Sequence, residues 1–181
     1  MDFFNKSEQS ILLNAENIIV GFSGGVDSTL VLAATNQFLE AHNKKNCLTA
    51  LHVNHQTQSD SSSWQIHCEK FCKEHNINFS CKSVEIKESG QGYEAAARSA
   101  RLDIFNAFDE ATVIILGHHL DDQVETVFFR VLRGTGLKGL TGMQRHIKIK
   151  DKDFIRPLLH LTKEEIFKQA TEYKLSFIED Q

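Results

Sequence analysis

Two short segments carry residue types and spacings suited to chemistry on phosphates. The first, Ser23-Gly24-Gly25-Val26-Asp27-Ser28, follows an apolar run and precedes a helical pattern. Two adjacent glycines permit a tight turn and a close approach of backbone to a ligand. Amides that open a helix then form an anion site, and Ser23 and Ser28 add hydroxyl donors. Asp27 makes sense there only beside a cation, because alone it would repel the phosphates that the backbone attracts. The plainer reading is a glycine turn with Asp27 or Ser28 as a helix N-cap. The segment lacks the Gly-Lys-Ser/Thr ending of a Walker A loop. The second segment is Gly117-His118-His119-Leu120-Asp121-Asp122-Gln123-Val124-Glu125-Thr126. Carboxylates in the first turn of a helix are favoured by up to about 1 kcal/mol, which explains Asp121 and Asp122 but not two adjacent histidines before them. Paired carboxylates facing a phosphate loop suit Mg²⁺ shared with substrate oxygens and water.

These segments need a scaffold, and strand and helix signals alternate along the chain. After a short opening helix (about Ser7 to Asn14), strands are predicted at Ile18 to Phe22, Cys47 to Asn54, Phe79 to Ile86 and Thr112 to Leu116. Helices are predicted at Ser28 to Ala41, Ser63 to His75, Glu94 to Phe108 and Asp121 to Leu132. Ile147 to Lys150 and Asp153 to Arg156 form a fifth strand or a small hairpin, and Thr162-Lys163-Glu164-Glu165 opens a last helix with a capping-box pattern. Alternation of this kind means βαβ units. The expected fold is α/β and doubly wound, with a mostly parallel five-stranded sheet and helices on both faces. Ligands of such sheets bind beyond the carboxyl ends of the strands, where the strand order reverses. Both segments follow a strand.

At 181 residues and 41% apolar content the chain suits one domain, residues 1–181, with a single core. A chain of this length buries roughly 70% of its extended surface without help from disulfides or metals. No stretch approaches the roughly 18 apolar residues that cross a bilayer, and the first residues lack a secretory pattern. The four cysteines sit inside apolar segments, which suits a reducing compartment. The expected location is cytoplasmic, with no membrane partner. The net charge of −4 is unevenly spread. Arg130, Arg133, Lys138, Arg145, Lys148, Lys150, Lys152 and Arg156 face only Asp151 and Asp153 between positions 130 and 156, which offers either a basic surface for phosphates or an ordinary solvated hairpin.

The first segment resembles the pyrophosphate-binding loop of the N-type ATP pyrophosphatases, which split ATP into AMP and pyrophosphate. The second segment runs on into Arg130-Val131-Leu132-Arg133-Gly134-Thr135-Gly136-Leu137-Lys138-Gly139-Leu140-Thr141-Gly142-Met143. Together with Ser23 to Ser28 and Glu94-Ala95-Ala96-Ala97-Arg98, this arrangement is similar to the tRNA(Ile)-lysidine synthase family over nearly the whole chain. The resemblance implies an adenine nucleotide alpha hydrolase-like fold and ATP as substrate with Mg²⁺. It also implies two partners, tRNA(Ile) with a CAU anticodon and free L-lysine, and it admits a homodimer. It implies that Ser23, Gly24, Gly25, Val26, Asp27 and Ser28 cradle the leaving phosphates. Asp27 and Asp122 match the family's acidic pair for Mg²⁺ and activation, and Asp121 joins them as a candidate ligand. Arg98 matches an arginine near the reacting phosphate, the alternative being a helix-surface arginine. His52 and Val53 lie in the segment that contacts adenine in related folds, although a satisfied strand-end histidine fits equally well. The glycines from Gly134 to Gly142 would let a loop meet the tRNA backbone. His118 or His119 would help remove a proton from the lysine amine. Further tRNA-binding parts are expected beyond the chain, with an Asp-x-Ser-Asn segment where Ile178-Glu179-Asp180-Gln181 stands.

Three other readings are open. Cys68 and Cys72, with His67 and His75 nearby, suggest zinc, but structural zinc sites show tighter loop pairs and a second pair elsewhere. Another superfamily member could amidate a small molecule through an adenylate, or thiolate tRNA through loop cysteines, of which there is no motif. A nucleotide-binding module without catalysis is the third, and the acidic residues in both loops argue against it.

Overall fold

In the computed structural model, residues 1, 3–54, 61–84, 103–105, 107–108, 112–134 and 141–179 are described. The centre of the sheet is β1 (Asn17–Gly21), whose Ile18, Ile19 and Val20 are all buried. An unbroken apolar run of this sort marks a strand covered on both faces. β1 pairs in parallel with β2 (Leu48–Asn54) on one side and β4 (Thr112–Ile115) on the other, and β2 pairs in parallel with β3 (Asn78–Ser83). Beyond β4 lie β6 (Lys152–Ile155), parallel to it, and β5 (His146–Ile149), antiparallel to β6. The order is β3-β2-β1-β4-β6-β5, so among the described residues the sheet has six strands rather than the five expected. The difference lies at 146–155, where both short segments are strands of one hairpin. Ile149 faces Lys152, and the two residues between them, Lys150 and Asp151, take φ of 47° and 63°. Positive φ at both central residues is the type I′ pattern that matches strand twist. Lys-Asp is an unusual pair for it, which is why the turn was hard to read.

Among the described residues the helices are α1 (Lys6–Asn14), α2 (Val26–Ala41), α3 (Ser61–Glu74), α4 (Leu120–Leu132) and α5 (Lys163–Glu172), with a 3₁₀ turn at Lys45–Cys47 and a helical fragment at 103–105. Ile18 and Val20 point into the larger core with Leu12, Leu30, Phe71 and Ile166, from α1, α2, α3 and α5. Ile19 points to the opposite face, where it packs with Leu51, Phe105, Ile114 and Phe154. Residues 103–105 are helical, as expected of the end of the 94–108 segment, whose remainder falls largely outside the described residues. Each of these fully buried apolar side chains contributes about 1.5–3 kcal/mol. Both loops of interest leave the carboxyl ends of neighbouring strands, β1 and β4, at the point where the strand order reverses. Among the described residues no helix is long and apolar enough to cross a membrane.

The basic stretch is less free than its charge suggested. Arg145 pairs with Glu8 of α1 at 2.7 Å, and the Glu8 side chain is only 1% exposed. Arg130 donates to the carbonyl of Gly142 and Arg156 to that of Gln144, and Lys152 is buried. Much of the basic excess therefore braces the fold, while Arg133, Lys148 and Lys150 are exposed. Removing one partner of a buried ion pair costs about 3–5 kcal/mol because a charge is left behind. Arg145→Leu should thus lower the urea-unfolding free energy by about 3 kcal/mol, and adding Glu8→Gln should recover part of it.

Candidate active site

The loop after β1 is held by its own serine. Ser28, in the first turn of α2, accepts from the amides of Ser23 and Gly24 at 3.2 Å each, lies 3.0 Å from Ser23 Oγ and donates to the Gly25 carbonyl. Ser28 is buried and acts as an internal brace, whereas the Ser23 side chain is exposed. The N-cap of α2 is Gly25, and no side chain caps this end. The plainer reading, with Asp27 or Ser28 as cap, therefore does not describe the loop, and the first amides of α2 are left for an anion. Val26 contributes backbone there while its side chain joins the core. Gly24 has φ +95°, a conformation that side chains resist, and it sits between Cys68 Sγ and Ile178 Cδ1.

The loop after β4 reaches the first loop through Gly117. A Cβ at Gly117 would stand 3.1 Å from the Asp27 carbonyl carbon and 3.1 Å from the Ser28 amide nitrogen. These are backbone atoms at the opening of α2, so they cannot swing aside. His119 then caps α4. Its Nδ1 accepts from the Asp121 amide at 3.2 Å, and its own amide donates to Asp122 Oδ2 at 2.8 Å. With Nδ1 accepting, the neutral ring carries its proton on Nε2. That atom lies 3.7 Å from Asp27 Oδ1 and 3.6 Å from Asp122 Oδ2, so one buried imidazole stands between the two carboxylates. Asp121 reaches the same ring from its other side, its Oδ2 lying 3.7 Å from His119 Nδ1, and that oxygen also accepts the amide of Lys163 at 3.1 Å at the start of α5.

Electrostatics single out Asp27. Burial holds its carboxyl above the ordinary range, and the nearby Asp122 adds to this, while His119 and Lys163 act in the opposite direction. Asp27 Oδ1 is buried and accepts no hydrogen bond. A buried carboxylate oxygen without a donor is costly, and a divalent cation would satisfy it. Among the described residues no three His, Cys, Asp or Glu side chains form a complete metal cage. Mg²⁺ is usually held by one or two carboxylates together with substrate phosphates and water, and Asp27 and Asp122 are the carboxylates here that could serve.

The remaining candidates divide. Arg98 lies outside the described residues, as do positions 135–140 of the glycine-bearing loop. His52 is a satisfied core histidine: it is buried, its Nδ1 donates to the Phe22 carbonyl at 2.9 Å, and burial lowers its pKa. Val53 is half-buried against the smaller core at the same strand end. His118 accepts at Nδ1 from Arg156 Nε at 3.3 Å. Cys68 and Cys72 are buried with thiols pushed up to about 12 by burial, which makes them inert at neutral pH. Two contributors escaped the sequence reading. Gly117 was visible only as a glycine between an apolar strand and two histidines, and Lys163 only as part of a capping box, which the structure does contain.

A doubly wound sheet with an uncapped glycine turn and a carboxylate pair at its switch point defines the class: an α/β protein whose first loop is suited to phosphate. The chain matches the PP-loop domain family over residues 2–181, and it belongs to that family. It is 38% identical over 167 residues to a tRNA(Ile)-lysidine synthase of Legionella pneumophila (strain Lens), covering 92% of this chain and 38% of that protein. A tRNA(Ile)-lysidine synthase of Pseudomonas fluorescens is 37% identical over 174 residues, with 93% and 38% covered. The chain thus spans about two fifths of the length of the curated relatives it matches. Among solved structures, the U34-tRNA thiolase NcsA from Methanococcus maripaludis superposes with a TM-score of 0.72 at 21% identity, over 98% of this chain and 62% of that one. A glutamine-dependent NAD⁺ synthetase from Acinetobacter baumannii gives 0.58 at 13% identity, over 91% and 30%. Both share the fold.

Two outcomes are expected. Gly117→Ala should cost about 1–3 kcal/mol in thermal unfolding, as overpacking does, and should weaken nucleotide binding at the same time. Asp27 contributes stability that is full below about pH 4 and lost as pH rises through its raised folded pKa. Asp27→Asn should flatten that part of the stability curve and leave the nucleotide-free protein at least as stable as the parent at pH 7. A clear drop in melting temperature at pH 7 would contradict this account of the site.

Proposed function

We propose that the chain is the ATP-activating domain of a tRNA(Ile)-lysidine synthase. The observation that carries this reading is the convergence of the glycine turn with Asp27 and Asp122 around His119, in a chain 36–38% identical to synthases of that name. In this reading the O2 of the CAU-anticodon cytidine of tRNA(Ile) attacks the α-phosphorus of ATP, and pyrophosphate leaves into the loop of Ser23 to Ser28. The amine of free L-lysine then attacks C2 of the adenylated base, and AMP departs. Asp27 and Asp122 would hold Mg²⁺, which supplies charge neutralisation for the phosphates. The amides that open α2 would orient the departing oxygens, and Arg98 would stand near the α-phosphate. Lys163, an exposed cation close enough to oppose the Asp27 charge, is suited to the outer phosphates.

Of the two histidines, His119 is suited to orienting the carboxylates, because its Nδ1 lone pair already receives an amide. His118 is then the remaining candidate for the lysine proton, and it would have to release Arg156 to act. Unchanged lysine-dependent turnover in His118→Ala would remove it from that role.

Two alternatives stay within the family. A small-molecule synthetase would exchange pyrophosphate without RNA. A thiolating enzyme would need reactive cysteines, and burial of Cys68 and Cys72 speaks against those two. The test is transfer of labelled lysine by the full-length protein to a tRNA(Ile) transcript with a CAU anticodon, with AMP and pyrophosphate counted. The parent should incorporate lysine, and Asp122→Asn should lose about 100-fold or more, the scale of removing one charge-stabilising group. RNA-independent exchange without lysine transfer would sink the proposal.

A further inference from the structure

The segment after α5 returns to the glycine turn and binds its backbone. Lys174, at φ +55°, reverses the chain at the end of α5, and the Leu175 amide returns to the Ala170 carbonyl. Phe177 seats this segment on the larger core, with its ring 5.6 Å from that of Phe167. Ile178 then forms a parallel bridge to Gly25, and its amide donates to the Gly24 carbonyl at 2.9 Å. Its Cδ1 also lies against Gly24, where a Cβ would approach it to 3.3 Å.

This contact bears on which way the Gly24–Gly25 peptide faces. In a trans peptide the carbonyl and the following amide point in opposite directions. Holding the Gly24 carbonyl toward Ile178 therefore turns the Gly25 amide away from it, toward exposed Ser23, whose Oγ it meets at 3.3 Å. The reversed orientation would aim a carbonyl oxygen at arriving phosphates. Both flanking residues are glycine and so tolerate either arrangement, which leaves the Ile178 amide bond, at 2.9 Å, as the shortest of the hydrogen bonds that oppose the reversal, ahead of those from Thr29 Oγ1 and to Ser23 Oγ at 3.3 Å each. The Thr29 hydroxyl is closer to the Gly25 carbonyl, at 2.9 Å, than to that of Gly24, at 3.3 Å.

We propose that Ile178 is a positioning residue whose amide fixes the Gly24–Gly25 peptide in its phosphate-accepting orientation. The proposal rests on the reading of the loop as a phosphate site. Its test is titration of the full-length parent, Ile178→Ala and Ile178→Pro with a non-hydrolysable ATP analogue and Mg²⁺. Proline alone removes the amide, while alanine removes only the side chain. Ile178→Pro should raise the Kd at least tenfold and raise KM for ATP while leaving KM for lysine unchanged. Ile178→Ala should stay within about threefold of the parent. Equal binding by the proline variant and the parent overturns the proposal, as does an equal loss in both variants. Failure of the parent itself to bind would instead overturn the phosphate reading. Should Ile178→Pro not fold, hydrogen exchange of the parent decides. The Ile178 amide should be protected without nucleotide, and exchange at the rate of an open chain overturns the proposal.

Discussion

The site depends on the close approach of two backbones at the carboxyl edge of the sheet. Gly117 lets the end of β4 lie against the opening of α2 with no side chain between them. Several features follow from that approach. It brings His119 within reach of Asp27, and the cap that His119 forms places Asp122 on the other side of the same ring. It also explains why Asp27 is short of water and why its carboxyl is harder to ionise than usual. Burial and charge here are two results of one packing decision, made where the sheet changes direction.

The larger architecture was legible because its signals are redundant. β1 announces itself by three successive β-branched residues, and α5 by Thr162 and Glu165 at the spacing of a capping box. The two loops were legible because glycines, serines and paired aspartates at strand ends have few other uses. What remained hidden depends on distance across the fold. Asp121 and Asp122 are equivalent as letters, yet they meet His119 at different ring nitrogens, and only Asp121 also accepts the amide of Lys163. Ser28 is a plausible phosphate donor in sequence, but a helix's first turn points it back under its own loop. The basic excess between 130 and 156 is real as arithmetic, but Glu8, the acid that Arg145 pairs with, lies 137 positions away.

The glycine turn and the acidic pair divide the work by kind of matter. The turn offers backbone dipoles, which cannot titrate and change little when a ligand arrives. The acidic pair offers full charges, which can be compensated only by something brought in from outside. An anion alone would be repelled by the second, and a cation alone would find no use for the first. A metal-bound polyphosphate satisfies both, because each of its halves meets the opposite sign.

Helix α5 touches both of the loops that carry these groups. Its first amide clasps Asp121, while the segment leaving its far end lies on Gly24. A ten-residue helix is about 15 Å long and stiff along its axis. One rigid element therefore ties together two loops that belong to different strands.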